Sequence, residues 1–80
     1  MMKVEILTPK GIEFDREVKE IIIPTRSGQI SVLPHHVPLI SVLKAGKMRI
    51  VTEKEEIEKE IEGGILEVCK DKAVILLKKF

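Results

Sequence analysis

Apolar and polar side chains alternate with a period of two along most of the chain. Over residues 3–8, Val4 and Ile6 fall on one side and Lys3 and Glu5 on the other, the pattern of a half-buried β-strand, and Pro9, Lys10 and Gly11 then signal a turn. Apolar residues resume at 12–14 and give way to the charged Asp15, Arg16 and Glu17. They return over residues 18–23, which run into Pro24. The triple Ile21, Ile22, Ile23 predicts a strand covered on both faces, at least locally. Short strands are expected at 30–33 and 39–43. Lys44, Ala45 and Gly46 turn the chain, and a further strand follows over 47–52, with Met48 and Ile50 opposite Arg49 and Val51.

Residues 53–60, EKEEIEKE, fit two periods. Glu55 and Lys59 would pair at i,i+4 on a helix, but only Ile57 and Ile61 are apolar, so a helix here would have no face to bury. Ile57, Lys59 and Ile61 alternating with Glu58 and Glu60 suit an edge strand guarded by charge. Gly63 and Gly64 mark a bulge or a close backbone approach. Strands at 65–69 and 73–77, with a turn over 70–72, complete the pattern. The expectation is a single all-β domain over residues 1–80, an antiparallel sandwich or flattened barrel of about eight to ten short strands.

Residues 25–39, TRSGQISVLPHHVPL, hold the densest run of special residues. Gly28 supplies the positive φ of a tight turn, and Pro34 and Pro38 remove backbone donors on either side of His35 and His36. An exposed, rigid loop on a β scaffold is a natural place for binding residues.

Composition narrows the function classes. Trp and Tyr are absent and the only aromatics are Phe14 and Phe80, so Ile, Val and Leu must form the core. Fourteen basic and thirteen acidic side chains give a formal charge of +1, no footprint for nucleic acid or an anionic membrane. Lys70, Lys72, Lys78 and Lys79 read as a solvated face, because single-strand binders add aromatic platforms. Cys69 is the only cysteine, and no apolar run approaches a signal peptide or a membrane span. A soluble, reducing compartment is expected, most simply the cytoplasm.

Chemistry is sparse. His35 and His36, adjacent on an extended chain, point to opposite sides, and Cys69 with one histidine falls short of a four-ligand zinc site. No nucleophile, base and oxyanion arrangement is visible, Gly63 and Gly64 lack the context that cradles phosphate, and the acidic residues form no calcium loop. No catalytic residue, metal or cofactor is expected. The residues alone predict a small β domain with a protein contact surface.

Taken in order, Thr8, Pro9, Gly11, Phe14, Glu17, Val18, Pro24, Thr25 and Gly28, then Ile30, Leu33, Pro34, His36, Pro38 and Leu39, then Gly46, Arg49, Ile50 and GGILEV at 63–68, resemble the N-terminal β-sandwich domain of the F-type ATP synthase epsilon subunit, called delta in mitochondria. The resemblance covers nearly all 80 residues. Ser31 and His35 stand where that family usually has Gly, Ala45 where it often has Pro, and Glu62 where it commonly has Ser. Family members usually continue into a two-helix hairpin, so an ATP-binding or inhibitory role tied to that hairpin is not carried over to these residues.

The resemblance implies a non-catalytic rotor part of the central stalk, gripping the gamma subunit and touching the membrane c-ring, on the cytoplasmic face of the inner membrane in a bacterium. It implies no nucleic acid and no direct insertion into lipid. Gly28, Gln29 and Ile30 match the loop that approaches the c-ring, with Gln29 where many relatives have Glu; His36, Pro38 and Leu39 match the segment near gamma. His36 either fixes the turn or touches the partner. Two other classes stand beside this one. One is a lipoyl or biotinyl carrier domain, through Gly46, Lys47 and Met48; the other is a small nucleic-acid-binding barrel.

Overall fold

Seven strands, not eight to ten, make up the computed structural model, which describes all 80 residues and contains no helix. They are β1 (Met2–Thr8), β2 (Gly11–Val18), β3 (Glu20–Thr25), β4 (Gly28–Val32), β5 (Leu39–Val51), β6 (Glu56–Cys69) and β7 (Lys72–Leu76). The difference lies mainly in β5 and β6. Residues 44–46 do not reverse the chain; they bend a continuous strand, and Gly63 and Gly64 do the same in β6, where Lys44 pairs with Gly63 and Leu43 with Gly64. The charged 15–17 segment likewise stays inside β2, with Asp15, Arg16 and Glu17 paired to β1. The run over 18–23 divides at Lys19 between β2 and β3.

The hydrogen-bonded order is β2-β1-β7-β6-β5-β3-β4. Every pairing is antiparallel except β1 with β7, which is parallel and departs from the purely antiparallel expectation. The bends in β5 and β6 fold this ribbon on itself. Their first and second halves therefore bury opposite parities: Leu43 faces inward before the β5 bend and Met48 and Ile50 after it; Ile61 before the β6 bend, Leu66 and Val68 after it. A period-two pattern that changes phase at a Gly is the sequence trace of a strand shared by two layers. The result is an open sandwich. β2 and β4 have unpaired outer edges, so the sheet does not close into a barrel.

Sixteen buried apolar side chains form the core, all aliphatic or Met, with Val4, Ile6, Ile21, Ile23, Ile50 and Ile75 fully enclosed. Ile22 is half-buried, so only two members of the triple Ile are enclosed. Phe14 and Phe80 pack against the core from outside, their rings edge to face with centroids 6.1 Å apart. Pro24 is tolerated inside β3 because the β3–β5 ladder lapses between Ile22 and Thr25, where no donor from residue 24 is needed. Glu56–Ile61 pairs only with β5, since β7 engages β6 from Ile65 onward; this stretch is locally the charged edge that its alternation predicts.

Candidate interaction surface

The β3–β4 hairpin reverses within Arg26 and Ser27. Thr25, buried at the base of the turn, donates from Oγ1 to the Gly28 carbonyl at 2.6 Å and accepts from the Ser27 N–H at 3.1 Å, while the Arg26 N–H donates to the Val42 carbonyl at 3.0 Å. Gly28 has φ 120°, the left-handed region that an L side chain avoids. The hairpin tip is thus pinned to β5 and its shape set by one threonine. Gln29 follows, exposed on the edge strand opposite Pro24, with Gly28 and Ile30 half-buried beside it.

Beyond the other end of β4 comes the 33–38 loop. The His36 N–H donates to the Leu33 carbonyl at 3.2 Å, closing a four-residue turn with Pro34 second and His35 third. Pro presets φ at the second position, and the third requires positive φ; His35 takes φ 67° there. That conformation costs an L residue about 1–2 kcal/mol. Asp71, in the β6–β7 turn, meets it: its Oδ1 accepts from the His35 N–H at 3.0 Å and lies 3.2 Å from His35 Nδ1. The neighbouring Lys70 has φ 58°, so the two non-glycine residues with positive φ belong to turns that meet at Asp71. His35 is exposed and His36 half-buried, with Nδ1 of His36 2.7 Å from the Val37 carbonyl oxygen. Pro38 is exposed, and Leu39 opens β5 half-buried.

Gly28, Gln29 and Ile30 lie within β4, starting at the hairpin tip, whereas His36 and Pro38 lie in the loop beyond its other end and Leu39 opens β5. The fold thus places the two groups on different segments, the β3–β4 hairpin and the 33–38 loop with the start of β5.

A third feature is missing from the sequence reading. On the outer face of the first layer, cross-strand register aligns Val42 with Ile65, Ile65 with Leu76, Leu76 with Leu7 and Leu7 with Ile12. This apolar row crosses five strands; Ile12 is 60% exposed, and Val42, Ile65 and Leu76 are 44–46% exposed. Ile40, 74% exposed, lies two residues from Val42 on the same strand and joins a shallow groove lined by Pro38, Leu39, Glu67, Val68 and Cys69. The row and the 33–38 loop are thus continuous. The available signal was the doublets Ile6–Leu7, Val42–Leu43, Ile65–Leu66 and Leu76–Leu77, which put apolar groups on both faces of a strand.

No three His, Cys, Asp or Glu side chains gather where they could hold a metal ion. Lys47, the candidate carrier lysine, lies within β5 beside the bend with Nζ 3.7 Å from Glu58, not at a hairpin tip. Two of the four C-terminal lysines are paired with carboxylates: Lys72 lies 3.5 Å from Glu5 and Lys79 3.3 Å from Glu62.

Comparison with known proteins gives a consistent result. Residues 1–80 match the family model described as ATP synthase, Delta/Epsilon chain, beta-sandwich domain. The chain is 40% identical over 76 residues to the chloroplastic ATP synthase epsilon chain of Cyanidioschyzon merolae, covering 95% of this chain and 58% of that one. It is 39% identical over 75 residues to the ATP synthase epsilon chain of Chlorobium limicola, covering 92% and 85%. Several other epsilon chains, such as that of Coffea arabica, are matched over just 54% of their length, so these 80 residues span little more than half of most such relatives. Among solved structures, the fold is similar to a chain of the Euglena gracilis mitochondrial ATP synthase OSCP/F1/c-ring assembly, with TM-score 0.90 at 21% identity, covering 98% of this chain and 51% of that one. A chain of the Tetrahymena thermophila mitochondrial ATP synthase central stalk and c-ring gives TM-score 0.80 at 19% identity, covering 95% and 62%.

Proposed function

The chain belongs to the ATP synthase delta/epsilon chain family, and on that premise we propose that it is a non-catalytic rotor part of the central stalk, binding gamma on one side and the c-ring on another. The observation that carries this reading is the apolar row from Ile12 to Val42. An exposed apolar strip crossing five strands is the usual mark of a protein interface, and it runs into the loop bearing His36, Pro38 and Leu39. In this reading the row and loop together face gamma. The β3–β4 hairpin, with Gln29 at its exposed edge, reaches the polar loops of the c-ring.

The proposed division fits the mechanics. A part that transmits torque needs distinct contacts on a stiff body, and the two candidate groups lie on different segments, each held by a side-chain bond, from Thr25 at the hairpin and from Asp71 at the 33–38 loop. Gln29 hydrogen-bonds without the charge-assisted strength a Glu would add. The rotor position lies at the membrane surface, on the cytoplasmic side in a bacterium, without insertion into lipid.

Size-exclusion chromatography of the chain mixed with gamma from the same source tests the proposal. Coelution that survives moderate salt and is lost with Ile65→Asp is the expected result. Separate elution, or coelution indifferent to Ile65→Asp and to His36→Ala alike, would overturn the assignment of this face to gamma.

A further inference from the structure

The 33–38 loop contains a turn whose third residue must take positive φ, and that residue is His35, not Gly. Within the loop the turn's own closure is a single 3.2 Å hydrogen bond from His36 N–H to the Leu33 carbonyl, opposed by the backbone cost of His35. The compensating contact comes from a different part of the chain. Asp71 is 36 residues away in sequence, and one carboxylate oxygen reaches both the backbone N–H and the ring of His35. The backbone half of that grip is independent of the protonation of the imidazole. Asp71 is itself fixed, because its carbonyl accepts from the Lys3 N–H at 2.9 Å, which ties the β6–β7 turn to β1.

We propose that Asp71 is the positioning residue of the 33–38 loop, its carboxylate holding His35 in the turn conformation that presents His36, Pro38 and Leu39. In chemical terms, the Asp71 carboxylate offsets at His35 a backbone cost that a glycine at this position would not incur. The consequence for partner binding rests on the docking role assigned to this loop above; the consequence for loop order does not. Asp71 touches no partner in this scheme and acts only through His35.

Amide hydrogen exchange of the full chain, followed residue by residue by NMR, tests this directly. Asp71→Ala keeps the backbone carbonyl that Lys3 uses, and it is expected to speed exchange of the His36 N–H about tenfold while leaving core amides such as Leu66 unchanged. Asp71→Asn, which retains an acceptor oxygen, recovers part of the protection. His35→Gly removes the backbone cost, so Asp71→Ala added to it leaves His36 exchange close to that of His35→Gly alone. Equal acceleration in both backgrounds, or none with Asp71→Ala, would overturn the proposal. Gamma affinity measured on the same variants separates the two claims: an accelerated loop with unchanged affinity overturns the docking role of the loop and leaves the positioning role of Asp71 standing.

Discussion

Gly64 and Leu76 approach so closely across β6 and β7 that a Cβ at position 64 would collide with the Leu76 carbonyl oxygen and come within 2.9 Å of Leu77 Cδ2. This contact lies at the β6 bend, where the ribbon passes from one layer to the other, so it sets how tightly the layers close.

Gly64→Ala is therefore expected to destabilise the domain by about 3 kcal/mol, or roughly 12–24 °C in Tm for a chain of this size. Gly11→Ala is the control: a Cβ there meets nothing within 4 Å, and only φ 115° opposes it. It should cost about 1 kcal/mol. Urea unfolding of both variants checks the order, and equal losses would show that backbone conformation alone, not the approach to Leu76, governs the bend.

Thr25 is buried, and its hydroxyl both donates and accepts at the base of the β3–β4 hairpin. Thr25→Val preserves shape and β-propensity but strands the Ser27 N–H and the Gly28 carbonyl, with an expected loss of about 1–2 kcal/mol. Exchange at the hairpin tip should rise more than exchange in β1 or β7. A uniform change across the sheet would contradict the local role given to Thr25.

On the outer face, Ile65→Asp places a carboxylate in the centre of the apolar row. Because Ile65 is 44% exposed, the free chain should lose no more than about 1 kcal/mol. Gamma affinity should fall at least tenfold, since a charge buried at an interface is strongly disfavoured. Unfolding curves and binding isotherms on one preparation distinguish a lost interface from a lost fold.

Arg49 joins Glu56 at 3.3 Å and Glu58 at 3.5 Å across β5 and β6, and Lys47 shares Glu58 at 3.7 Å. These groups are substantially exposed, so Arg49→Met should cost less than about 1 kcal/mol, and the wild-type melting temperature should respond little to added salt. A loss of several kcal/mol would show that this network, not aliphatic burial, holds the second layer.

Much of the architecture was legible as alternation. Val4 and Ile6, Met48 and Ile50, and Ile57 and Ile61 are on the inward faces their spacing predicts, and Gly28 takes the positive φ expected of it. Glycine was harder to interpret at the bends. Gly46 looks like a turn residue in sequence because a change of phase at a Gly is common to a reversal and to a bend, and only the pairing of Lys44 with Gly63 distinguishes them; the close backbone approach expected at Gly63 and Gly64 is found between Gly64 and Leu76. The parallel β1–β7 pair was invisible, because local alternation carries no information about strand direction. At the candidate surface, the loop was evident from its prolines, but the Asp71 grip and the five-strand row arise from register between distant segments. The assignment of Gln29 to one contact and His36 to another came from the family resemblance, and the fold adds that they lie on different segments, the edge strand β4 and the loop that follows it.

The measurement that bears most directly on the rotor reading is disulfide trapping in the assembled ATP synthase, starting from a Cys69→Ser background because the native thiol is exposed. Cysteines are introduced one at a time, as Gln29→Cys and His36→Cys, against cysteines on the c-ring loops and on gamma. The predicted result is two different adducts, Gln29→Cys with the c-ring and His36→Cys with gamma. Failure of both positions to trap either partner would contradict a chain that bridges gamma and the ring.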